Sequence, residues 1–500
     1  MTASTFGASA SGAFSISPKE RDPYEYQAGF GNRFASEAIP GVLPYGQNMP
    51  QKMKYDLYTE GINGTPFVTP RRDNQSTWIY RIRPSVAHQG FSPLPDNPDT
   101  ESCFFPLNPK VHFSPTQLAW HPFDIPSDNT KVDFVSGLKT LAGNGDPTLR
   151  EGLAVHIYAA NQSMGNSAFC NNDGDFLILA QQGRLDIQTE FGKLMVRPGE
   201  LVVIQRGIKY KVGLPDGPSR GYILEIFGSH FELPDLGPLG SHGLANTRDF
   251  ESPVASFDLD QSPWDITYKV GGKFFACHQE HTPFDVVAWA GNYVPYKYAM
   301  EKFSHVGSIN KDHIDPSIFT VLTAPSKTPG APLADFAIFS ERWDVATNTF
   351  RPPVRTFLPL RDARAGMLTS GRIVQYYHRN CASEMMGLIY GGYSGRSDGF
   401  TPGAFSYENG FCPHGVSYDE FKKATEAELV PQKIHVGTLA FMFESSMQIL
   451  LTDYAMKRSG KLHEHEPKMW DNLKGQFINH LDEVNADLKA AGRPPLGSKA

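Results

Sequence analysis

Cysteine is scarce in this sequence, and the few cysteines form no pattern. The five cysteines are Cys103, Cys170, Cys277, Cys381 and Cys412. No C-x-x-C pair occurs among them, so the sequence suggests neither a zinc knuckle nor a disulfide framework. Scattered thiols that are odd in number are most simply the reduced cysteines of an intracellular protein.

Positive charge and long apolar runs are also lacking. Lys and Arg number 46 against 53 Asp and Glu, and the net charge of −7 argues against a nucleic-acid partner, which would require a basic face. No apolar run approaches the roughly 18 residues of a membrane span. The start, MTASTFGASASGAFSISPK, has neither the basic region of a signal peptide nor the Arg-rich pattern of a transit peptide. We therefore expect a disordered tail over residues 1–22, a cytoplasmic protein and no membrane contact.

Turn-forming residues are abundant instead. The 46 Gly and 39 Pro favour many short strands over long helices. Within residues 171–212, apolar runs alternate with Gly-containing turns, and RPGELVVIQRGIKYKV resembles the second signature of the cupin barrel. Tyr210 stands where that signature usually carries a metal-binding histidine, so we expect a jelly roll without a metal in this half. The sequence thus predicts a mainly β, cupin-like or jelly-roll protein of two domains.

The expected domains are a metal-free β domain over 23–285, a second β domain over 286–455 and a helical C-terminal segment over 456–500. Helical spacing of apolar residues is concentrated late in the chain. Residues 418–429 predict one helix. Apolar residues from Trp470 to Leu488 recur every three or four positions, which predicts a longer amphipathic helix with Gly492 as its stop.

Three residues of the second domain form a candidate metal site. His378 and Glu384 lie in YYHRNCASE, and His414 lies in FCPHG. On a straight strand the first two would be about 20 Å apart, so the chain must bend to bring ligand atoms to the roughly 3 Å separation of a metal site. Two His and one carboxylate are the facial triad of non-haem Fe(II) oxygenases. Ordinary loop histidines produce the same spacing, so spacing alone leaves both interpretations open.

Longer strings carry a more specific signal. The segments YQAGFGNRFASEA, KVDFVSGLKTLAGNGD, FELPDLGPLG, DPSIFTVLTAPS, YYHRNCASE and LAFMFESS resemble the homogentisate 1,2-dioxygenase family over nearly the whole chain. The resemblance implies an oxidoreductase that uses Fe(II) and O₂ to open homogentisate to maleylacetoacetate in tyrosine and phenylalanine breakdown. It implies iron ligands at His378, Glu384 and His414, and a dimer of trimers. It also implies substrate contacts through Tyr393, His414 and Arg396, the last replacing a lysine of the family.

Two positions depart from the family pattern. The family motif WHGNY carries the acid/base histidine, whereas this chain reads WAGNY and has Ala290 there. A second-sphere histidine of the family aligns with Glu408 in GAFSYENGFCPH. No residue is therefore assigned as the catalytic acid or base. Two other functions stay open: a dioxygenase for another dihydroxyaromatic compound, and a cupin-type protein that binds a small aromatic molecule without catalysis.

An unusual segment, Val354 to Gln375, precedes the first histidine. In the family, FRPP runs directly into YYHRN, whereas here a run containing four arginines intervenes. Its coding length suits a short fungal-type intron, since Val354 can encode a GT donor and Gln375 a CAG acceptor. We expect a retained intron or an error in the gene model. A genuine surface loop is the alternative, because chain length alone permits one. Uninterrupted reads through this segment in the dominant transcript would end the intron hypothesis.

Overall fold

The computed structural model describes residues 22–44, 52–235, 245–303, 316–344, 377–392, 400–426, 432–463 and 466–497. The predictions for residues 1–21, for the segment 354–375, and for Tyr393 and Arg396 concern residues outside these ranges.

Strands predominate among the described residues, as the Gly and Pro content predicted. In chain order they are β1 (Tyr26–Ala28), β2 (Phe34–Glu37), β3 (Tyr58–Asn63), β4 (Ser76–Arg81), β5 (Phe91–Pro93), β6 (Val111–His112), β7 (Leu118–Trp120), β8 (Leu138–Asp146), β9 (Glu151–Ala160), β10 (Ser167–Asn171), β11 (Asp175–Gln182), β12 (Leu185–Thr189), β13 (Gly192–Val196), β14 (Glu200–Ile204), β15 (Lys209–Gly213), β16 (Ser219–Ile226), β17 (Phe250–Pro253), β18 (Trp264–Val270), β19 (Lys273–Gln279), β20 (Val286–Gly291), β21 (Tyr296–Ala299), β22 (Thr320–Pro325), β23 (Pro332–Asp344), β24 (Ser383–Tyr390), β25 (Phe405–Glu408), β26 (Gln432–Ser445) and β27 (Leu450–Thr452).

Helices are few. The two α-helices of the described residues are α1 (Tyr418–Glu426) and α2 (Leu481–Ala490). Short 3₁₀ turns span Lys54–Asp56, Pro147–Leu149, Thr247–Asp249, Met300–Lys302, Pro316–Phe319, Glu466–Trp470 and Phe477–His480, and one π turn spans Tyr454–Arg458. In the described part of the chain there is no helix with the length and apolar character needed to cross a membrane.

The strands form four sheets, which we name by their places in the fold. The central sheet has the order β1-β17-β21-β14-β11-β16-β9-β8-β27-β6, and the outer sheet has the order β13-β12-β15-β10-β18-β19-β5. The small sheet is β2-β20-β4-β3, and the site sheet is β22-β23-β26-β24-β25-β7. The fold is thus mainly β, as the sequence predicted.

The central sheet is covered on both faces, which explains its apolar sequence. Along β11, Phe176 and Ile178 lie in the core shared with the outer sheet, while Leu177 and Leu179 lie in the core shared with the site sheet. Side chains alternate between the two faces of a strand, so a strand buried on both faces requires a continuous apolar run. Tyr210 lies in the first of these cores, where its ring packs edge-on against Phe169.

Two buried charge networks join the elements around these cores. Arg81, which is 1% exposed, bonds Glu190 at 2.9 Å and Asp285 at 2.7 Å, and so links the small sheet to the outer sheet. In the second network, the Lys269 ammonium of the outer sheet lies 2.8 Å from Glu225 and 2.9 Å from Asp173. Buried charges are tolerated because they are paired and hydrogen-bonded.

The two halves of the chain interleave rather than meeting at residue 286. Strands β20 and β21 pair with strands from the first half, in the small and central sheets respectively. Conversely, β7 from the first half pairs with β25 in the site sheet, and β27 from the second half pairs with β8 in the central sheet. Asp22 also belongs to the folded part, because its carboxylate lies 2.7 Å from the buried ammonium of Lys297.

The C-terminal helix is shorter than its apolar spacing predicted. Only residues 481–490 are α-helical, so the predicted helix is wrong for residues 470–480, and α2 has no buried residue. Phe477 is 63% exposed, so part of the apolar stripe faces outward in the single chain. Gly492 does end the helix, with a φ of 66° and its amide donating to Lys489. The helix predicted from Tyr418 begins there and is described as far as Glu426.

Candidate metal centre

Three elements at one end of the site sheet deliver the three predicted ligands. Glu384 is the second residue of β24, and His378 lies in the segment leading into that strand. His414 lies in the loop that follows β25. An isolated antiparallel bridge joins the two histidines: each backbone amide donates to the carbonyl of the other at 3.2 Å. The bend that the spacing of His378 and Glu384 required lies at Cys381, where the Asn380 side chain accepts from the amide of Ala382 at 3.2 Å.

The ligand atoms of the three side chains converge. Oε1 of Glu384 lies 3.5 Å from Nε2 of His378 and 3.6 Å from Nε2 of His414. One ligand atom from each residue falls within 4.8 Å of the others, and this is the one such group among the described residues. Two imidazoles and one carboxylate, with further coordination positions left for other ligands, are the donor set of non-haem Fe(II) sites.

The surroundings of His414 fit a metal ligand. Its Nδ1 donates to the carbonyl of Cys412 at 2.9 Å, which fixes the tautomer and leaves Nε2 as the lone-pair atom. That Nε2 is buried and has no hydrogen-bond partner in the described part of the chain. A buried polar atom without a partner is rare and costly, and a metal ion placed between the three side chains would satisfy it.

The carboxylate of Glu384 stays ionised. Burial alone would raise its pKa, but the close imidazoles of His378 and His414 and the charge they can carry outweigh burial and lower the pKa well below its ordinary value. Nδ2 of Asn380 donates to Glu384 Oε1 at 2.9 Å and orients it further. In the converse direction, burial lowers the pKa of His414, but Glu384 and then Glu408 favour the charged ring and raise that pKa to about 9. The side chains of His378, Glu384 and His414 therefore bind a cation between them, either a proton or a metal ion that takes its place.

A row of carboxylates runs across the site sheet through Glu384. Glu408 on β25 and Glu444 on β26 are the direct cross-strand partners of Glu384, and Asp335 on β23 is the partner of Glu444. Residues directly opposite on antiparallel strands point to the same face, with Cβ atoms about 4.5–5.5 Å apart. Glu384 thus has another glutamate beside it on each of the two neighbouring strands.

The next row on the same face is mostly apolar. Met386 on β24 pairs with Met442 on β26 and with Ser406 on β25, and Met442 pairs with Ala337. Met386 packs against the cluster that contains Met442. The sheet therefore places an apolar floor directly beside the candidate ligands, which suits an aromatic ring.

Gln117 reaches this site from the first half of the chain. It immediately precedes β7, the edge strand beside β25, and it is 6% exposed. Its Nε2 donates to Glu408 Oε1 at 2.9 Å, and its Oε1 lies 3.5 Å from the amide of Gly415, next to His414. The side chain of Gln117 thus contacts both Glu408 and the loop that carries His414.

The other predicted site residues lie elsewhere or outside the described ranges. Tyr393 and Arg396 are outside these ranges. Ala290 lies on β20 in the small sheet, where its cross-strand partners are Ala35 and Trp78. Sequence reasoning missed Gln117 and Asn380. Gln117 lies in no quoted motif, because its proximity to the triad depends on strand register. Asn380 lies within YYHRNCASE, but only the local turn brings it to Glu384.

Two family models together match most of the chain. A family model described as Homogentisate 1,2-dioxygenase N-terminal matches residues 25–300, and one described as Homogentisate 1,2-dioxygenase C-terminal matches 301–357 and 371–477. The C-terminal model passes over residues 358–370. These residues lie within the segment 354–375, which the sequence predicts to be an insertion.

Similar full-length proteins carry the same name. The chain is 47% identical to the homogentisate 1,2-dioxygenase of Emericella nidulans over 465 residues, covering 91% of this chain and 97% of that one. It is 49% identical to the Dictyostelium discoideum protein of that name, with coverage of 91% and 98%. It is 47% identical to the human one, with coverage of 91% and 97%.

Similarity to solved structures is much weaker. A mutant of the Bacillus subtilis oxalate decarboxylase OxdC has a TM-score of 0.25 at 10% identity, covering 67% of this chain and 79% of that one. A Cupin 2 conserved barrel domain protein from Leptotrichia buccalis has a TM-score of 0.22 at 7% identity, with coverage of 63% and 88%. Scores at this level add nothing to the assignment.

Proposed function

The chain belongs to the homogentisate 1,2-dioxygenase family, and we propose that His378, Glu384 and His414 hold the iron with which it opens the ring of homogentisate. The activity is that of an oxidoreductase which incorporates O₂ into a single donor. The convergence of the three ligand atoms at one end of the site sheet carries the metal assignment. Maleylacetoacetate is the product we propose, and tyrosine and phenylalanine breakdown is the pathway.

The residues of this chain perform separable tasks at the site. His378 and His414 offer neutral nitrogen ligands, and Glu384 offers an anionic one that the two imidazoles keep ionised. When bound, Fe(II) supplies the redox chemistry with O₂ that none of these side chains can perform. The backbone bridge between the histidines holds the ligands in place before the metal or the substrate arrives, which lowers the entropic cost of binding either.

The floor formed by Met386 and Met442 is suited to orienting the ring. A thioether surface binds an aromatic face through dispersion and sulfur–aromatic contacts. With the ligands at one end of this floor, a ring lying on it presents one edge to the metal. Orientation of this kind converts a reaction between two partners into one within a single complex.

Oxygen consumption tests the proposal directly. Protein loaded with Fe(II) should consume O₂ when homogentisate is added and release one ring-opened product per O₂. The same protein loaded with Zn(II) should bind the metal without consuming O₂, because zinc has no redox chemistry. An iron-loaded protein that leaves both homogentisate and O₂ unchanged would overturn the proposal.

A different dihydroxyaromatic substrate is the second candidate. Ala290 and Glu408 replace two imidazoles of the family pattern, and the latter change adds a buried carboxyl group beside the ligands. A carboxyl group at this place favours substrates with less negative charge, or substrates with an additional hydroxyl group that can donate a hydrogen bond to it. A panel of hydroquinones and catechols in the same oxygen assay separates the two candidates, since the true substrate has the highest kcat/KM.

We also propose that six chains assemble as a dimer of trimers. Apolar side chains exposed in the single chain support an assembly: Phe477 is 63% and Ile478 is 54% exposed near α2. Light scattering should report a mass several times the 55.4 kDa of one chain. A monomer at micromolar concentration contradicts the proposal, because an obligate assembly persists under those conditions.

A further inference from the structure

We propose that Glu408 is a specificity-determining residue whose carboxylate, held by Gln117, accepts a hydrogen bond from a hydroxyl group of the aromatic substrate. The inference rests on the proposed function, because it concerns the ring that the iron site binds. It assigns a task to a side chain at which this chain departs from its family.

Strand register places Glu408 beside the metal centre. Glu408 and Glu384 are directly opposed on β25 and β24, so both side chains leave the same face of the site sheet. Ser406, the next residue of β25 on that face, lies opposite Met386 of the apolar floor. A ring lying on the floor with one edge at the ligands therefore has Ser406 at its side and Glu408 next to the edge that meets the ligands.

The position of Glu408 is fixed from two directions. Gln117 donates to its Oε1 at 2.9 Å from outside the strand. The next residue, Asn409, accepts from Ser383 at 2.9 Å and from the amide of Ile449 at 3.1 Å, and so locks the end of β25. A carboxylate with so little freedom is preorganised to accept a hydrogen bond at a defined position.

Glu408 is too deeply buried to be an ordinary surface charge. It is 7% exposed, and burying a carboxylate is costly unless hydrogen bonds compensate it. The two oxygens of a carboxyl group offer more than one acceptor position, so Glu408 can accept from a further donor while Gln117 is bonded to Oε1. A phenolic hydroxyl is a strong donor that can use another of these positions.

A buried acceptor of this kind discriminates between ligands by the hydroxyl group they carry. A site built to bond a hydroxyl rejects an analogue without it, because the bond made by the true ligand is then lost in a place that water does not readily fill. A hydrogen bond to a charged group corresponds to about 10- to 100-fold in affinity. Homogentisate has two ring hydroxyls, so one can reach the metal while the other reaches Glu408.

Anaerobic binding to the iron-loaded protein tests the assignment without depending on turnover. Calorimetric titration compares homogentisate with 2-hydroxyphenylacetate and 3-hydroxyphenylacetate, each of which lacks one of the two ring hydroxyls. In the wild type both analogues should bind more weakly than homogentisate. The penalty of an analogue is the ratio of its dissociation constant to that of homogentisate. In the Glu408→Ala variant this penalty should fall by about 10-fold or more for one analogue. It should persist for the other analogue, whose missing hydroxyl is the one at the metal.

Further variants separate positioning from general damage. Gln117→Leu should reduce the same penalty and leave unchanged the affinity for the analogue that lacks the hydroxyl facing Glu408, whereas a merely structural loss would weaken all three ligands. Glu408→Gln preserves the size of the side chain and removes its charge. It should give an intermediate penalty, and it serves as the test if the alanine variant fails to fold. Glu280→Gln, at an exposed carboxylate, should behave as wild type.

The outcomes distinguish this inference from the function on which it rests. If homogentisate binds and O₂ is consumed, but neither analogue changes its penalty in Glu408→Ala or Glu408→Gln, the inference is wrong and the proposed function stands. If the iron-loaded wild type neither binds homogentisate nor consumes O₂, the proposed function fails and this inference fails with it. A penalty lost for one analogue alone supports the inference.

Discussion

His378 and His414, far apart in the chain, exchange two backbone hydrogen bonds of 3.2 Å, and their rings lie 4.2 Å apart between centroids. The pairing is therefore made by the backbone and does not require the side chains or a metal. The position of the two imidazoles is set by folding, and Glu384 completes the site from the adjacent strand.

Removing Glu384 should abolish metal binding with little damage to the fold. Glu384→Ala leaves two neutral nitrogen ligands, and loss of a ligand should exceed the roughly 10–100-fold that outer-shell changes cost in affinity. Iron content after desalting and oxygen uptake both measure this, with Glu280→Ala as an exposed control. Retention of iron and full activity in Glu384→Ala would show that the triad assignment is wrong.

Restoring an imidazole at position 290 should raise homogentisate turnover. A positioned general base contributes about 10²–10⁴ in rate, and Ala290 cannot act as one. By the family resemblance, Ala290→His should raise kcat on homogentisate by about 10²-fold, provided that this part of β20 in the small sheet faces the ring. Ala276→His in the outer sheet should not change kcat. Unchanged turnover on every dihydroxyaromatic tested would mean that this part of β20 does not face the ring.

Arg81 should be essential for stability, although it lies outside the metal centre. Arg81→Ala leaves Glu190 and Asp285 buried without their guanidinium partner, and breaking a buried ion pair in this way costs about 3–5 kcal/mol of unfolding free energy. Arg83→Ala, two residues away and exposed, should cost less than about 1 kcal/mol. Guanidinium denaturation of the two variants measures both values, and equal losses would contradict the prediction.

Acid should destabilise the protein through Glu225. Burial would raise the pKa of Glu225, but Lys269 and His156 outweigh it and lower the pKa to about 2 from its ordinary value of 4.5. A lowered carboxyl pKa contributes stability that is complete above about pH 4.5 and is lost as the pH falls toward 2. Thermal unfolding of wild type should show this decline between those values. Glu225→Gln should be less stable at neutral pH and should show a smaller decline on acidification.

The convergence of His378, Glu384 and His414 could be predicted from sequence, because two imidazoles and one carboxylate are the ligand types that a particular metal prefers. The strings around two of them also resemble one family. The carboxylate row could not be predicted in the same way. Glu384, Glu408 and Glu444 become neighbours only through the register of three strands, and no local pattern encodes register between distant segments.

The central sheet and the C-terminal helix show where apolar patterns mislead. The apolar runs within residues 171–212 indicated a jelly roll, but not that the two faces of β11 belong to different cores. The stripe from Trp470 to Leu488 predicted one helix, yet only Leu481–Ala490 adopts it. Periodicity indicates which residues would share a face if a helix formed, whereas packing against the rest of the protein decides whether the helix forms. In the single chain α2 has no buried residue, so packing does not stabilise a longer helix.

The order of strands in the central sheet has a consequence for synthesis of the protein. The sheet contains β1 near the start of the folded chain and β27 at Leu450–Thr452, so it cannot be completed until almost the entire polypeptide has left the ribosome. At about 5–20 residues per second, this leaves the apolar strands without their final partners for tens of seconds. Nascent chains of this protein should therefore depend on chaperones that shield unfinished sheets, and early termination should yield aggregates rather than a functional fragment.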